Sequence, residues 1–160
     1  MRWIRFAVLI CLATIVQASF LSNFIIRPDL LIILVVFFAI YGTTSDAIIT
    51  SFLIGFAADL SLIGVSMGSQ MISFGILGTA LSYLNRIFAL RKVPYQIVSI
   101  VVITILAGFL TNFLNSLKHV GIIESSYIIK TAVYSAIVGP FVFKPVIWWM
   151  RIKSANRRRY

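Results

Sequence analysis

Acidic side chains are scarce in this chain of 160 residues, which has only four Asp and Glu residues together, one cysteine and one histidine. One cysteine excludes a disulfide or a cysteine-ligated metal site within a single copy of the chain. His119 has no second ligand at metal-binding spacing. No two carboxylates share a helix face, and no stretch resembles a nucleophile elbow or a phosphate-binding loop. These absences argue against an enzyme and predict no metal or cofactor.

Charged residues make up 11% of the chain and hydrophobic residues 61%, whereas soluble domains carry about 25% charged residues. The composition predicts a single all-α domain, a polytopic membrane protein of six transmembrane helices. Each crossing needs roughly 20 apolar residues, so the loops are short and leave no room for a soluble catalytic domain. The predicted spans are 6–26, 29–45, 47–64, 69–89, 96–117 and 127–150, followed by a basic tail at 151–160.

Three of these spans carry local signals. The strongly apolar part of the second, 30–41, would rise only about 18 Å, short of a core of roughly 30 Å. We therefore expect either extension into 42–45 or a locally thinner bilayer. Thr43 and Asp46 have the spacing of a capping box, which predicts the start of the third helix. Pro140 and Pro145 predict a kinked or broken sixth helix.

The basic residues indicate orientation. Lysine and arginine total 14, for a net charge of +10, but they lie at the ends of apolar runs, a distribution typical of topology signals and anionic-lipid contacts rather than nucleic-acid binding. Ten lie on the side of the termini, against Arg27, Lys118 and Lys130 opposite. Both termini are therefore predicted to be cytoplasmic. The first span also resembles a signal peptide. Because its apolar run continues beyond Ala18, we favour an uncleaved anchor.

Asp59 lies in a run, 47–64, that is otherwise almost entirely apolar or small. A carboxylate at the centre of a membrane helix costs on the order of 2.5–3.5 kcal/mol on insertion scales. With the predicted topology Asp59 lies near the outer face, where Arg27 begins the second helix. We expect the two to pair; the alternative is that Asp59 faces interfacial water.

Small and polar residues recur at helical spacing. Gly55, four residues before Asp59, would let a neighbouring backbone approach closely, and Gly68, Gly75 and Ser82 recur every seven residues as a small-residue seam. The seam is interpreted as packing within the bundle, with a partner's helix as the alternative. Asn112 and Asn115 form a polar stripe on the fifth helix. They are interpreted as interhelical hydrogen-bonding groups rather than a pocket lining.

Two motifs, taken in order, resemble a known family. Arg27-Pro28-Asp29 opens an apolar run, and the segment around Gly55 and Asp59 is followed by Gly64 and Gly68; together they resemble the MreD family of bacterial rod shape-determining membrane proteins. The resemblance implies a non-enzymatic subunit of the elongasome, the peptidoglycan side-wall machinery, in the bacterial cytoplasmic (inner) membrane. It implies association with MreC and, indirectly, with RodA, a class B penicillin-binding transpeptidase and MreB.

The MreD bundle is similar to the S-components of energy-coupling-factor transporters. This similarity implies an alternative function, a subunit that binds a vitamin or a metal ion for transport. S-components dock through an Ala-x-x-x-Ala pattern on the first helix, and Ala7, Ala13 and Ala18 do not have that spacing. A generic permease is a further alternative, disfavoured because no inverted repeat is detectable.

Overall fold

Six helices make up the protein in the computed structural model, which describes residues 2–19, 29–61, 68–88, 93–117 and 125–150. The all-α prediction is confirmed. The helices are α1 (Arg2–Ser19), α2 (Leu30–Tyr41), α3 (Thr44–Ser61), α4 (Ser69–Phe88), α5 (Val93–Leu117) and α6 (Ser125–Met150). The first predicted span reached residue 26, but residues 20–26 lie outside the described residues.

The shortest helix, α2, occupies the centre of the bundle. Its sequence is apolar around the whole circumference, which is typical of a helix buried on all sides, and ten of its twelve residues are buried. It contacts each of the other five helices, and these contact one another in the closed order α1, α3, α4, α5, α6 and back to α1. The fold is therefore a five-helix ring around a central helix.

The helices alternate in direction. At one end, here called the Asp29 end, α2, α4 and α6 begin and α1, α3 and α5 finish. At the other, the Tyr41 end, α2 finishes among aromatic side chains. Phe6 of α1 meets Phe38 edge to face at 5.0 Å, and Phe143 of α6 lies 6.2 Å from the Tyr41 ring. The first turns of α1 and the later part of α6 therefore lie at the same end of the bundle.

The expectation that the second helix extends into 42–45 is wrong. The helix ends at Tyr41, and the N–H of Gly42 closes the last turn on the Phe38 carbonyl. The predicted start of the third helix is confirmed, because the Thr43 hydroxyl accepts a hydrogen bond from the Asp46 N–H at 3.2 Å. A helix enclosed by protein need not match the hydrocarbon thickness, which removes the reason for expecting a longer α2.

The sixth helix is not broken. It runs continuously from Ser125 to Met150 through Pro140 and Pro145. Within the described segments, two stretches are long and apolar enough by themselves to cross a membrane, Pro94–Leu117 and Ser126–Trp149. Two shorter helical stretches, Ile4–Gln17 and Leu30–Tyr41, are also apolar.

Candidate functional site

Asp59 forms a polar contact between two helices, α3 and α4. Its carboxylate is buried, with 8% of the residue exposed, and it accepts hydrogen bonds from the N–H groups of Gly68 and Met71 at Oδ2 and of Gln70 at Oδ1, all at 3.0–3.1 Å. These N–H groups belong to the first turn of α4 and the residue before it, where a helix has no internal acceptors and carries a partial positive charge. Asp59 thus caps a helix other than its own.

Gly55 lies one turn before Asp59 and faces the same first turn of α4. A Cβ atom at this position would lie 2.6 Å from the Met71 Cα and 2.9 Å from the Gln70 carbonyl oxygen. Only a glycine therefore lets the α4 backbone come this close to α3. Close approach at Gly55 and capping at Asp59 act on the same crossing.

The small residues of α4 face the interior of the bundle. A Cβ on Gly75 would overlap the Phe52 ring of α3, and Ser82 is buried. Gly78 continues this face, where an added Cβ would overlap the Ser51 side chain. Gly68 stands apart, because it has a φ of +93° in the turn before α4 and open space around it. Gly75 and Gly78 therefore pack against α3.

Asp29 connects α1, α2 and α6 at the Asp29 end of the bundle. Its Oδ1 accepts hydrogen bonds from the N–H groups of Leu31 and Ile32, which caps α2. The same oxygen accepts a hydrogen bond from the Gln17 amide of α1 at 3.3 Å. The Asp29 N–H donates to the Ser135 hydroxyl of α6 at 2.9 Å. The start of the central helix is therefore fixed to the ring on two sides.

The other end of α2 is held by amide side chains. The Asn85 amide of α4 donates to the Ile40 carbonyl at 2.8 Å, and the Gln96 amide of α5 donates to the Tyr41 hydroxyl at 2.9 Å. Carbonyls in the last turn of a helix have no internal donor. Asn85 supplies one from a ring helix.

A pocket lies beside Asp29, between the first turn of α2 and the helices α4, α5 and α6. The cavity itself measures about 80 Å³, and the space rises to about 430 Å³ when the open mouth is counted. Its lining combines apolar and polar side chains: Asp29, Ile32, Gln70, Phe74, Thr104, Ala107, Gly108, Thr111, Tyr127, Ile128 and Thr131. Across the part of the chain that the structure describes, no group of three potential metal ligands is present.

Comparison of the chain with known protein families gives one match. The family described as rod shape-determining protein MreD matches residues 1–153. The chain belongs to the MreD family. The match includes all six helices, whereas the resemblance in motif covers about residues 27–86. Neither the curated proteins nor the solved structures provide a match.

The MreD-like motifs do not all fall within the described structure. Arg27, Pro28 and Gly64 lie outside the described residues, so the predicted pairing of Arg27 with Asp59 stays a prediction. The structure brings together Gly55, Asp59 and Gly68 at the α3–α4 crossing. It places Asp29 separately, at the start of α2. The predicted motif therefore divides into two capping sites at the same end of the bundle.

The polar stripe of α5 does not belong to the pocket lining. Asn115 is fully buried and Asn112 partly buried. Neither lines the pocket, to which the same helix contributes Thr104 and Thr111. Thr111 donates to the Ser73 hydroxyl of α4 at 3.2 Å.

Sequence reasoning did not identify five polar contributors: Gln17, Asn85, Gln96, Thr131 and Ser135. Each is a polar residue within a largely apolar helix of this MreD-family chain. Polar residues inside otherwise apolar helices were the available signal. A central helix needs hydrogen-bond acceptors at its start and donors at its end, and neighbouring helices must supply those it lacks.

Proposed function

We propose that the chain is a non-enzymatic scaffold subunit of the machinery that elongates the peptidoglycan side wall, and that it maintains rod shape by binding MreC. Family membership implies a role in rod shape determination. One observation carries the scaffold proposal: the carboxylates of Asp29 and Asp59 both accept hydrogen bonds from backbone N–H groups at helix starts. Their chemistry is used to hold the bundle together.

The outer surface of the ring supports a membrane setting and contacts with partner helices. Large apolar side chains are exposed along α5 and α6, including Phe109, Phe113, Phe141 and Trp148. Partner association in a membrane relies on packing between such helix surfaces. RodA, the class B transpeptidase and MreB would then be linked to the chain indirectly, through MreC.

We further propose six membrane crossings with both termini cytoplasmic. The five ring helices have 18 to 26 residues, which corresponds to a rise of about 27–39 Å. The Tyr41 end would be the cytoplasmic one, because the start of α1 and the later part of α6 lie there and the predicted charge asymmetry favours that side. Reporter fusions after residues 1 and 160 should both report cytoplasm, and a cysteine at Ser125 should be labelled from outside. A periplasmic C-terminus would contradict this topology.

The scaffold function is tested by depletion and by partner recovery. Depleting the protein in a rod-shaped host should round or swell the cells, and an affinity-tagged copy should co-purify with MreC in mild detergent. The variant Asp59→Ala tests whether the α3–α4 crossing is required for both. Asp46→Ala is the matched control, because Asp46 lies on the same helix but its side chain caps no other helix among the described residues. Normal shape after depletion, with no MreC recovered, would exclude the scaffold.

The pocket beside Asp29 is the observation that favours the alternative, an S-component-type subunit. Co-purification separates the two functions. Recovery of paired ATPases and their membrane coupling subunit, together with tight binding of a vitamin or a metal ion, would support transport. On α1, Ala7 is exposed and Ala13 is buried, so these two alanines do not present a shared docking face.

A further inference from the structure

The hydroxyl of Thr131 is an exception among the buried threonines. In a helix a threonine hydroxyl usually donates to the carbonyl of the preceding turn, as Thr104 does to Ile100 at 2.7 Å and Thr79 does to Gly75 at 2.7 Å. Thr131 is 8% exposed, yet its Oγ1 has no hydrogen-bond partner among the described residues. A buried hydroxyl without a partner is destabilising, and this one belongs to a residue that lines the pocket.

The Asp29 carboxylate contributes an acceptor to the same lining. Every hydrogen bond that reaches it from the described residues goes to Oδ1, so no described residue donates to Oδ2. The Gln70 amide also lines the pocket. None of the described lining residues is basic. These polar groups therefore suit a ligand group that donates hydrogen bonds, either a hydroxyl or an ammonium.

Apolar side chains also line the pocket, namely those of Ile32, Phe74 and Ile128. The enclosed cavity measures about 80 Å³, which admits the small polar end of a ligand, and the rest of the ligand would lie in the open mouth of the pocket. Small-molecule sites combine an apolar lining with a few polar groups that fix orientation. The lining thus combines polar and apolar side chains.

We propose that this pocket binds an amphiphile whose polar end carries hydroxyl or ammonium groups. The polar end would contact Asp29, Gln70 and the Thr131 hydroxyl, and the apolar part would lie against Phe74 and Ile128. Two sources present this chemistry, the headgroup region of a membrane glycerolipid and a soluble amino alcohol or polyol. The inference does not depend on the scaffold function, since a bound amphiphile is compatible with either role of the protein.

Two threonine substitutions provide the test. Thr131→Val keeps the shape of the side chain and removes the unpartnered hydroxyl. Thr104→Val is the matched control, because Thr104 lines the same pocket and is also buried, but its hydroxyl is already bonded to its own helix. Both variants and the parent are purified in detergent and stripped of lipid. Without ligand, Thr131→Val should melt at the same temperature as the parent or higher, because a buried unsatisfied group has been removed.

Ligand binding is read from the thermal shift in the full-length protein. The probes are short-chain phosphatidylethanolamine and phosphatidylglycerol as lipids, with ethanolamine and glycerol as soluble counterparts. A saturating probe should raise the Tm of the parent and of Thr104→Val by roughly 5 °C. The apparent Kd should be about tenfold weaker in Thr131→Val. Native mass spectrometry of the parent protein, released directly from membranes, should show a bound small molecule as an additional mass. A smaller fraction of the Thr131→Val variant should carry that additional mass.

The lipid probes and the soluble probes distinguish the two sources of the ligand. A shift with the lipids alone identifies a membrane amphiphile, and a shift with the soluble probes identifies a soluble one; both support the proposed chemistry. Equal shifts in the parent and in Thr131→Val would overturn the proposal. The absence of both an additional mass and a thermal shift in the parent would also overturn it.

Discussion

The central helix and its neighbour α4 begin at the same end of the bundle, and an aspartate caps each of them from a different position in the chain. Asp29 immediately precedes α2 and uses one carboxylate oxygen for its contacts with described residues. Asp59 belongs to α3, uses both oxygens, and reaches donors nine to twelve residues later. The difference teaches that a local cap defines where one helix starts, whereas a remote cap defines how two helices cross.

The largest effect should come from removing the remote cap. Asp59→Ala leaves three N–H groups at the start of α4 without their acceptor, and each buried unsatisfied group costs about 1–3 kcal/mol. We expect a loss of about 3 kcal/mol or more, measured as a lower Tm in detergent. The control Asp46→Ala should lose less than about 1 kcal/mol, the usual contribution of an acid in a first helical turn. Equal losses for the two variants would show that Asp59 is not a cap.

The next effect concerns the close approach that accompanies the remote cap. Gly55→Ala places a Cβ 2.6 Å from the backbone of α4, so the helix must move, at a cost of about 2 kcal/mol. Gly75→Ala is the control, because its Cβ would meet the Phe52 ring, which can rotate away more easily than a backbone. Thermal unfolding should rank Gly55→Ala as the less stable variant. The reverse order would place the critical contact of this helix pair at Phe52.

Asparagine substitution compares the two aspartates directly. Asparagine retains one acceptor oxygen, and it caps helix starts as well as aspartate does. Asp29→Asn should therefore change stability by only a few tenths of a kcal/mol. Asp59→Asn replaces one of two oxygens in use with an N–H₂ donor and should cost about 1–2 kcal/mol. A Tm for Asp29→Asn as low as that for Asp59→Asn would show that both carboxylate oxygens are required at α2 as well.

The smallest effect is the predicted coupling between Arg27 and Asp59. Since three N–H donors already satisfy the carboxylate, we expect a coupling of no more than about 0.5 kcal/mol in a cycle of Arg27→Gln and Asp59→Asn. Thermal stability and recovery of MreC are measured for all four members. Additive losses would show that the two residues act separately, and a coupling of several kcal/mol would make Arg27 part of the capping site.

Local signals predicted the helices well because they depend on neighbouring residues. Apolar runs located all six helices, and the spacing of Thr43 and Asp46 located the start of α3. The apolar run at 30–41 was the difficult case. Its residues are apolar on every side, which indicates burial within a bundle, but the same pattern also describes a short lipid-facing span. Only the assembled ring distinguishes the two.

The candidate site was predicted less completely, for a physical reason. Asp59 was singled out as a costly acid, but its observed partners are backbone N–H groups, which every residue except proline possesses. No residue type identifies them in a sequence, so a cation, Arg27, was the natural expectation. Thr131 was not identified for a similar reason, because a missing hydrogen bond becomes visible only in three dimensions.

The enclosure of α2 also determines which part of the protein opens last. Amide hydrogens exchange with solvent through local or global opening, and the most protected ones belong to the elements that open only when the whole fold does. The amides of α2 are covered by five helices, and polar side chains from α1, α4, α5 and α6 hold its ends. We expect the slowest hydrogen exchange along 33–40 and faster exchange in α1, which makes less extensive contacts than the other ring helices.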